Sequence, residues 1–364
     1  MKIVAKASEP VPVDRIAQEA RAEAAPAAQP PPAGAEGSTA VGEAARAEVR
    51  RLLAAWRVHE VGARLGADPE ELHQLRVTAR RLDATLGLFK EHLAAPLVRA
   101  RKTAKSLLRT LGATRDLDVQ LAGLAAYCLE LPEEERSALE PLSERLKHER
   151  ARARARMVRA LDSETTRRWL QTLAAASESA SVEADASVVT VAAVMPRRVR
   201  RRFRRLRKAV QRLRPSSSME DYHKVRRRAK QLRYALESGA FNYGKPAEEM
   251  LRALRRLQDK LGVQQDAYIA RNHLTALAAD AACGLPPATL FLMGKLAEHH
   301  GRVSTDARAR VTGCWRKVRG RRWKALRARL KEFDHPEPRE AAPASIVMMA
   351  DGATPTPEDR PLSH

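Results

Sequence analysis

The sequence has few aromatic residues: Phe, Trp and Tyr make up 4% of its 364 residues, although hydrophobic residues make up 44%. Its apolar content is therefore mostly Ala, Leu and Val, and the bases of a single-stranded nucleic acid would find few rings on which to stack. Gly and Pro are scarce in the middle of the chain, and no segment has the alternating pattern of a strand. Because Ala, Leu, Arg and Glu dominate, the composition predicts an all-α protein.

Other features that are missing narrow the function. Cys128, Cys283 and Cys314 lack the spacing of a metal site or a paired motif, which fits a reducing compartment. No apolar run reaches membrane-spanning length and the first residues do not resemble a signal peptide, so we expect a cytoplasmic protein. The sequence contains no glycine-rich phosphate loop and no nucleophile–base constellation. We therefore expect no enzyme activity, no catalytic residue, no cofactor and no metal.

Positive charge is what the chain has in excess. The formal net charge is +23 and the pI is about 10.7. The excess does not lie in the ends of the chain, because residues 1–41 and 335–364 are both slightly acidic and the part between them carries +27. A body with this charge predicts a polyanionic partner that relieves its self-repulsion.

Proline, glycine and the apolar periodicity divide the chain into two helical series. Both ends are rich in Ala and Pro and are predicted to be disordered. The predicted fold is two helical bundles, one for each series. The predicted boundaries are a tail at 1–41, a first bundle at 42–175, a linker at 176–195, a second bundle at 196–333 and a tail at 334–364.

Two helices in these series carry a histidine within a basic stripe. In the first, Asp68 is a predicted N-cap and Pro69 the first helical residue. A step of 100° per residue places Arg76 and Arg80 beside His73, and places leucines on the opposite face. The segment beginning at His223 has the same arrangement, so each helix is predicted to face a core on one side and an anion on the other.

The two series match at an offset of 150 residues, with no gaps over the motifs compared. The segment Leu111-Gly112-x-x-x-Asp116 returns as Leu261-Gly262-x-x-x-Asp266. Basic residues match as well as apolar ones, although a solvated surface charge has little structural reason to keep its place. We infer that the matched stripes face a common basic groove. The matching pairs include Arg50/Arg200, Arg57/Arg207, Arg76/Arg226, Arg80/Lys230, Lys102/Arg252 and Lys105/Arg255.

The paired motifs resemble those of the CHAD family, whose name stands for conserved histidine α-helical domain. The resemblance rests on His-x-x-Arg-x-x-x-(Arg/Lys) twice, Leu-Gly-x-x-x-Asp twice, the segment Thr114–Val119 and the segment Lys230–Glu237. It covers roughly residues 42–333. It implies two antiparallel helical bundles with four-helix cores, related by an internal pseudo-twofold duplication. It also implies binding of inorganic polyphosphate in a central basic groove, and association with polyphosphate granules in prokaryotes.

By the same resemblance, an anion-binding role passes to the residues that match the motifs. These residues are His73, Arg76, Arg80, Arg81, His223, Arg226, Lys230 and Arg233, and the matched pairs above complete the predicted site. Two positions depart from the family pattern. Asp83 stands where Arg is common, opposite Arg233, and Gln231 stands opposite Arg81. These departures argue against a symmetric grip on the ligand.

Other interpretations of the same residues stay open. The two histidines could be metal ligands or solvated polar residues, although neighbouring arginines repel a cation and no second ligand lies at i+4. Gly112 and Gly262 are expected to end one helix, after which Asp116 or Asp266 caps the next; acid–base or magnesium chemistry is the alternative. The alternative functions are non-specific nucleic-acid binding through electrostatics and a metal-dependent polyphosphate-processing enzyme.

The anion interpretation carries a hypothesis about pH. A bound phosphate would raise the pKa of both histidines above the ordinary value of about 6.5. Affinity would then grow as the pH falls toward about 6.

Overall fold

A computed structural model describes residues 40–179, 189–214, 216–280 and 283–333, apart from the side chains of residues 240 and 241. Within these ranges the regular structure is helical, and Ala40 and Thr190 form an isolated β-bridge. This confirms the all-α prediction. The two predicted tails lie outside the described residues, except for the bridge residue Ala40 and Val41. In the part of the chain that is described, no helix is both long and apolar enough to cross a membrane.

The first series consists of six α-helices and a short 3₁₀ turn at Lys90–His92. The helices are α1 Val41–Leu65, α2 Pro69–Leu88, α3 Ala95–Cys128, α4 Glu133–Ala138, α5 Glu140–Asp162 and α6 Glu164–Glu178. The second series continues with α7 Val191–Gln211, α8 Met219–Glu237, α9 Ala240–Ala279, α10 Pro287–Arg319 and α11 Arg321–Lys331. Helices α6 and α7 thus extend from either side into the predicted linker at 176–195.

The helices that carry the basic stripes begin where the sequence predicts. The Asp68 Oδ1 atom accepts a hydrogen bond of 2.8 Å from the Glu70 backbone N–H, and Pro69 follows as the first helical residue of α2. The Ser218 hydroxyl caps α8 by accepting from the Asp221 backbone N–H at 3.3 Å. The first residues of α2 and α8, like those of α1 and α7, are 150 positions apart. The helix starts therefore keep the offset found in the sequence.

The predicted breaks at Gly112 and Gly262 are wrong. Helix α3 runs through Gly112 and Asp116, and α9 runs through Gly262 and Asp266, so neither aspartate caps a helix. A glycine ends a helix well when it adopts a positive φ. The described glycines with positive φ are Gly66, Gly244 and Gly284, and α9 is kinked at Gly244. A helix interior tolerates glycine at a cost of about 1 kcal/mol relative to alanine.

Three apolar clusters hold the helices together. One lies within the first series around Trp56 and Leu75, and a second lies mostly within the second series around Phe203 and Leu232. The third is shared, because Leu142 and Leu146 of α5 belong to the same cluster as Leu292 of α10. The second cluster also takes in Val41, Ala45, Leu88 and Phe89 of the first series. The two series therefore pack against each other through buried side chains.

Candidate polyanion-binding site

The basic stripes of α2 and α8 meet. The two helices are in contact, and the buried faces of both, which include Leu75 and Leu232, pack into the apolar clusters. Lys230 of α8 lies close enough to His73 of α2 to lower its pKa, and Arg76 and Arg80 of α2 act in the same way on Lys230. One cluster therefore combines cations from both series. It contains His73, Arg76, Arg80, Arg226, Lys230, Arg233 and Arg115, and is called the central cluster below.

His73 is neutral in the ligand-free protein over the physiological pH range. Burial lowers the pKa of its imidazole first, and the positive charges of Arg115, Arg76, Arg80 and Lys230 lower it further, to about 3. The ordinary value is about 6.5. The hypothesis that a bound phosphate raises this pKa concerns the bound state and remains a prediction, but it now starts from a much lower value.

Lys230 shares this surplus of positive charge. Its burial, followed by the charges of Arg226, Arg80, Arg233 and Arg76, holds the pKa of its ammonium group well below the usual value. Neither Lys230 nor Arg80 forms an ion pair with a carboxylate among the described residues. Partly buried cations without counter-ions raise the free energy of the folded state, and a bound anion would lower it.

Arg76 contacts both the glycine and the aspartate of the Leu-Gly-x-x-x-Asp motif in α3. Its Nη1 donates to the Gly112 carbonyl at 2.9 Å and lies 3.4 Å from the Asp116 carboxylate, one helical turn further along α3. A Cβ atom at residue 112 would lie 3.7 Å from Nη1, which is an ordinary van der Waals distance, so the guanidinium packs against this part of the helix whether or not residue 112 is glycine. Burial and the charge of Arg80 lower the pKa of Arg76 to about 10, although Asp116 opposes this shift.

The second series repeats the packing against glycine. A Cβ atom at Gly262 would lie 3.7 Å from Arg226 Nη2.

The two aspartates of α3 have structural roles. Because Asp116 lies within α3 beside Arg76, it orients this arginine rather than capping a helix. Asp118, which is buried, pairs with Arg150 of α5 at 2.5 Å and has the same kind of structural role.

The two predicted histidines have different neighbours. His223 Nδ1 lies 3.2 Å from the Gln265 Oε1 atom, whereas His73 has Arg115 nearby, and residues 115 and 265 are related by the offset of 150. Arg233 lies 3.7 Å from Glu237, and Arg255 lies 4.0 Å from the same carboxylate. Within the predicted site, the positive charges of Arg233 and Arg255 are thus partly balanced by a carboxylate, whereas the positive charge of Lys230 is not balanced by one among the described residues.

Some of the matched charges have structural partners. Arg50 donates to the Ser177 carbonyl at the end of α6 and pairs with Glu43 at 2.6 Å. Arg200 donates to the Leu330 carbonyl at the end of α11, at 3.4 Å. These contacts give the matched pair a structural reason to keep its place, contrary to what the repeat alone indicates. The anion-binding role of both residues remains a prediction.

The other predicted residues are not placed in the central cluster by any described contact. Arg81 is partly buried on α2, and its Nε has no hydrogen-bond partner among the described residues. The remaining residues are exposed on α1, α7, α3 and α9, where Arg252 lies 3.9 Å from Glu248. These exposed residues are Arg57, Arg207, Lys102, Lys105 and Arg252.

The sequence prediction missed Arg115 as a site residue. Its charge is the largest contribution after burial to the lowered pKa of His73. Arg115 follows Gly112 by three positions in α3, which places both on one face of the helix. Once Gly112 is known to face Arg76, this spacing would have identified Arg115. Among the described residues, no group of three or more His, Cys, Asp or Glu side chains could hold a metal ion.

Comparisons with known proteins identify the family and the fold. The model of the CHAD domain family matches residues 47–275. The chain is similar to the crystal structure of the CHAD domain from the plant Ricinus communis, with 26% identity over 81% of this chain and 93% of that chain and a TM-score of 0.58. It shares its fold with PptA from Streptomyces chartreusis, at 20% identity over 76% of this chain and 98% of that one, with a TM-score of 0.60. No curated protein matched the sequence. The fold and the family match agree, and the chain belongs to the CHAD domain family.

Proposed function

We propose that this protein binds inorganic polyphosphate at the central cluster without transforming it. The observation that carries the proposal is the convergence of Arg76 and Arg80 from one series with Lys230 from the other, where the two helices are in contact and burial and neighbouring positive charges lower the pKa of Arg76 and of Lys230. Polyphosphate carries about one charge per phosphate and offers oxygen atoms alone for recognition. Arg forks, a Lys ammonium and imidazole N–H groups match those oxygens.

Family membership and composition favour polyphosphate over a nucleic acid. The CHAD family is associated with polyphosphate binding. The central cluster consists of Arg, Lys and His. It contains no Phe, Tyr or Trp ring on which a base could stack. Duplex DNA, which could bind through phosphate contacts alone, is the main competitor.

We further propose that binding targets the protein to polyphosphate granules in the cytoplasm or organises them. The central cluster, to which both series of helices contribute side chains, would hold one segment of a long polymer. The rest of the polymer would remain free to bind other copies of the protein.

Competition binding and a release assay test the proposal. Long-chain polyphosphate should displace labelled duplex DNA from the protein when the two competitors are matched in phosphate concentration, because the cluster offers cations but no base-reading groups. Displacement of polyphosphate by DNA under the same conditions would favour the nucleic-acid function. Release of phosphate from polyphosphate with magnesium or manganese would show an enzyme and overturn the proposal of simple binding.

A further inference from the structure

A second group of arginines lies beside the central cluster, on the other flank of α8. Arg202 of α7 donates from Nη1 to the Gln231 backbone carbonyl at 3.3 Å, and Arg228 Nη1 reaches the Gln231 side-chain oxygen at 3.5 Å. Gln231 follows Lys230 directly, so this group begins one residue away from the central cluster. Arg205 belongs to the same group because its charge acts on both Arg202 and Arg228.

Two more arginines reach this group, one from α3 and one from an earlier turn of α7. Arg101 of α3 pairs with Asp83 of α2 at 2.7 Å, and its guanidinium packs so closely on α2 that a Cβ atom at Gly87 would lie 2.8 Å from it. Arg198 of α7 pairs with Glu91 at 3.1 Å, while its buried Nη1 has no hydrogen-bond partner among the described residues. The charges of both arginines act on Arg202.

The five arginines break the internal repeat. At an offset of 150 residues, Arg198, Arg202, Arg205 and Arg228 correspond to Glu48, Leu52, Ala55 and Thr78, and Arg101 corresponds to Leu251. Leu52 and Leu251 are core residues, with 1% and 7% of their surface exposed. Positions that hold core leucines in one series therefore hold arginines in the other. In contrast, Arg76 and Arg80 of α2 correspond to basic residues of α8. These counterparts are Arg226 and Lys230.

The same arginines gather where the family pattern has lost two cations. Asp83 and Gln231, the two departures from the family motif, are both contacted by this group, through Arg101 and through Arg202 and Arg228. Five guanidinium groups here have two described carboxylate partners, Asp83 and Glu91. Burial, followed by the charges of the neighbouring arginines, lowers the pKa of Arg202 to about 10.

We propose that Arg101, Arg198, Arg202, Arg205 and Arg228 form a second phosphate-binding subsite, so that a long polyphosphate chain extends from the central cluster to one side. This inference rests on the proposed function and adds a direction and a chain-length preference to it. A short chain occupies the central cluster, whereas a longer chain also contacts the arginine subsite. Long chains are therefore held more tightly than the central cluster alone would hold them.

The test replaces two of these arginines with the residues found at the corresponding positions of the first series. Arg202→Leu with Arg228→Thr gives both positions the residues of their counterparts, Leu52 and Thr78, and leaves the Arg101–Asp83 pair in place. Affinities for long-chain polyphosphate and for tripolyphosphate are measured by calorimetry at several salt concentrations. Arg204→Ala with Lys208→Ala, two exposed positions on the same helix, is the charge-matched control.

We expect the double variant to bind long chains at least about a hundredfold more weakly, because two charge-assisted contacts are lost. The slope of log affinity against log salt should fall by about two, since each phosphate contact contributes about one. Tripolyphosphate should bind within about twofold of the wild-type affinity.

Three results would overturn the inference. Long chains that bind the double variant as tightly as the wild type would remove the subsite and leave the proposed function intact. Equal losses for long chains and tripolyphosphate would show that these arginines belong to the central cluster and form no separate subsite. If the wild-type protein binds neither polymer, the proposed function fails and the subsite with it.

Discussion

Replacing Arg80 and Lys230 with alanine is expected to weaken polyphosphate binding by at least about a hundredfold. The two residues belong to different series, the charge of Arg80 contributes to the lowered pKa of Lys230, and neither residue has a carboxylate partner among the described residues. Each would provide a charge-assisted hydrogen bond to phosphate, worth about 1.5–3 kcal/mol. Two such contacts correspond to a hundredfold or more in the dissociation constant.

The same variant should unfold no more easily than the wild type in the absence of anions, because it relieves repulsion between partly buried cations. Calorimetric titration and denaturant unfolding of both proteins check the two halves of this prediction. Arg152→Ala with Arg156→Ala removes the same charge from exposed positions of α5 and serves as the control. If this control loses as much affinity as the double variant, binding depends on net charge rather than on the central cluster.

The stability of the ligand-free protein should fall as the pH drops below about 6.5, in part because of His73. Burial and neighbouring cations lower the pKa of His73 to about 3 in the folded protein. In the unfolded chain the imidazole takes up a proton below its ordinary pKa of about 6.5. The unfolded state therefore binds more protons between these two values, and the free energy of unfolding decreases with falling pH by up to about 1.4 kcal/mol per unit.

The variant His73→Gln should lose less stability than the wild type between pH 7 and pH 5. Glutamine retains a polar side chain of similar length but does not titrate in this range. Denaturant unfolding at both pH values measures the difference, which we expect to reach about 2 kcal/mol. Bound polyphosphate should reduce it, since the anion offsets the cations that keep His73 neutral. Identical pH dependence in the two proteins would show that the environment of His73 does not oppose its protonation.

The helical periodicity of the sequence was enough to predict the all-α fold and the two amphipathic helices with His73 and His223. It was not enough to show that α3 and α9 continue through Gly112 and Gly262. Glycine ends some helices and lies in the interior of others, and a single sequence does not distinguish these cases. The structure does, because both helices continue through these glycines and Arg76 and Arg226 pack beside them.

The repeat indicates that the two basic stripes face a common groove, but it does not determine how they meet. Periodicity shows which face of a helix is basic, whereas the contact of α2 with α8 depends on how the apolar clusters of the two series share side chains. Matched charges alone do not indicate an anion site, since Arg50 and Arg200 donate to backbone carbonyls in the last turns of α6 and α11. A repeat can therefore retain a charge for folding as well as for binding.

A structure of the protein with bound polyphosphate tests the central claim most directly. We predict phosphate oxygens within hydrogen-bonding distance, about 3 Å, of Arg80 and Lys230, with His73 donating to the same chain from a neutral imidazole. Polyphosphate bound instead to exposed residues such as Arg57, Arg207 and Lys102, with the central cluster empty, would contradict binding at the central cluster.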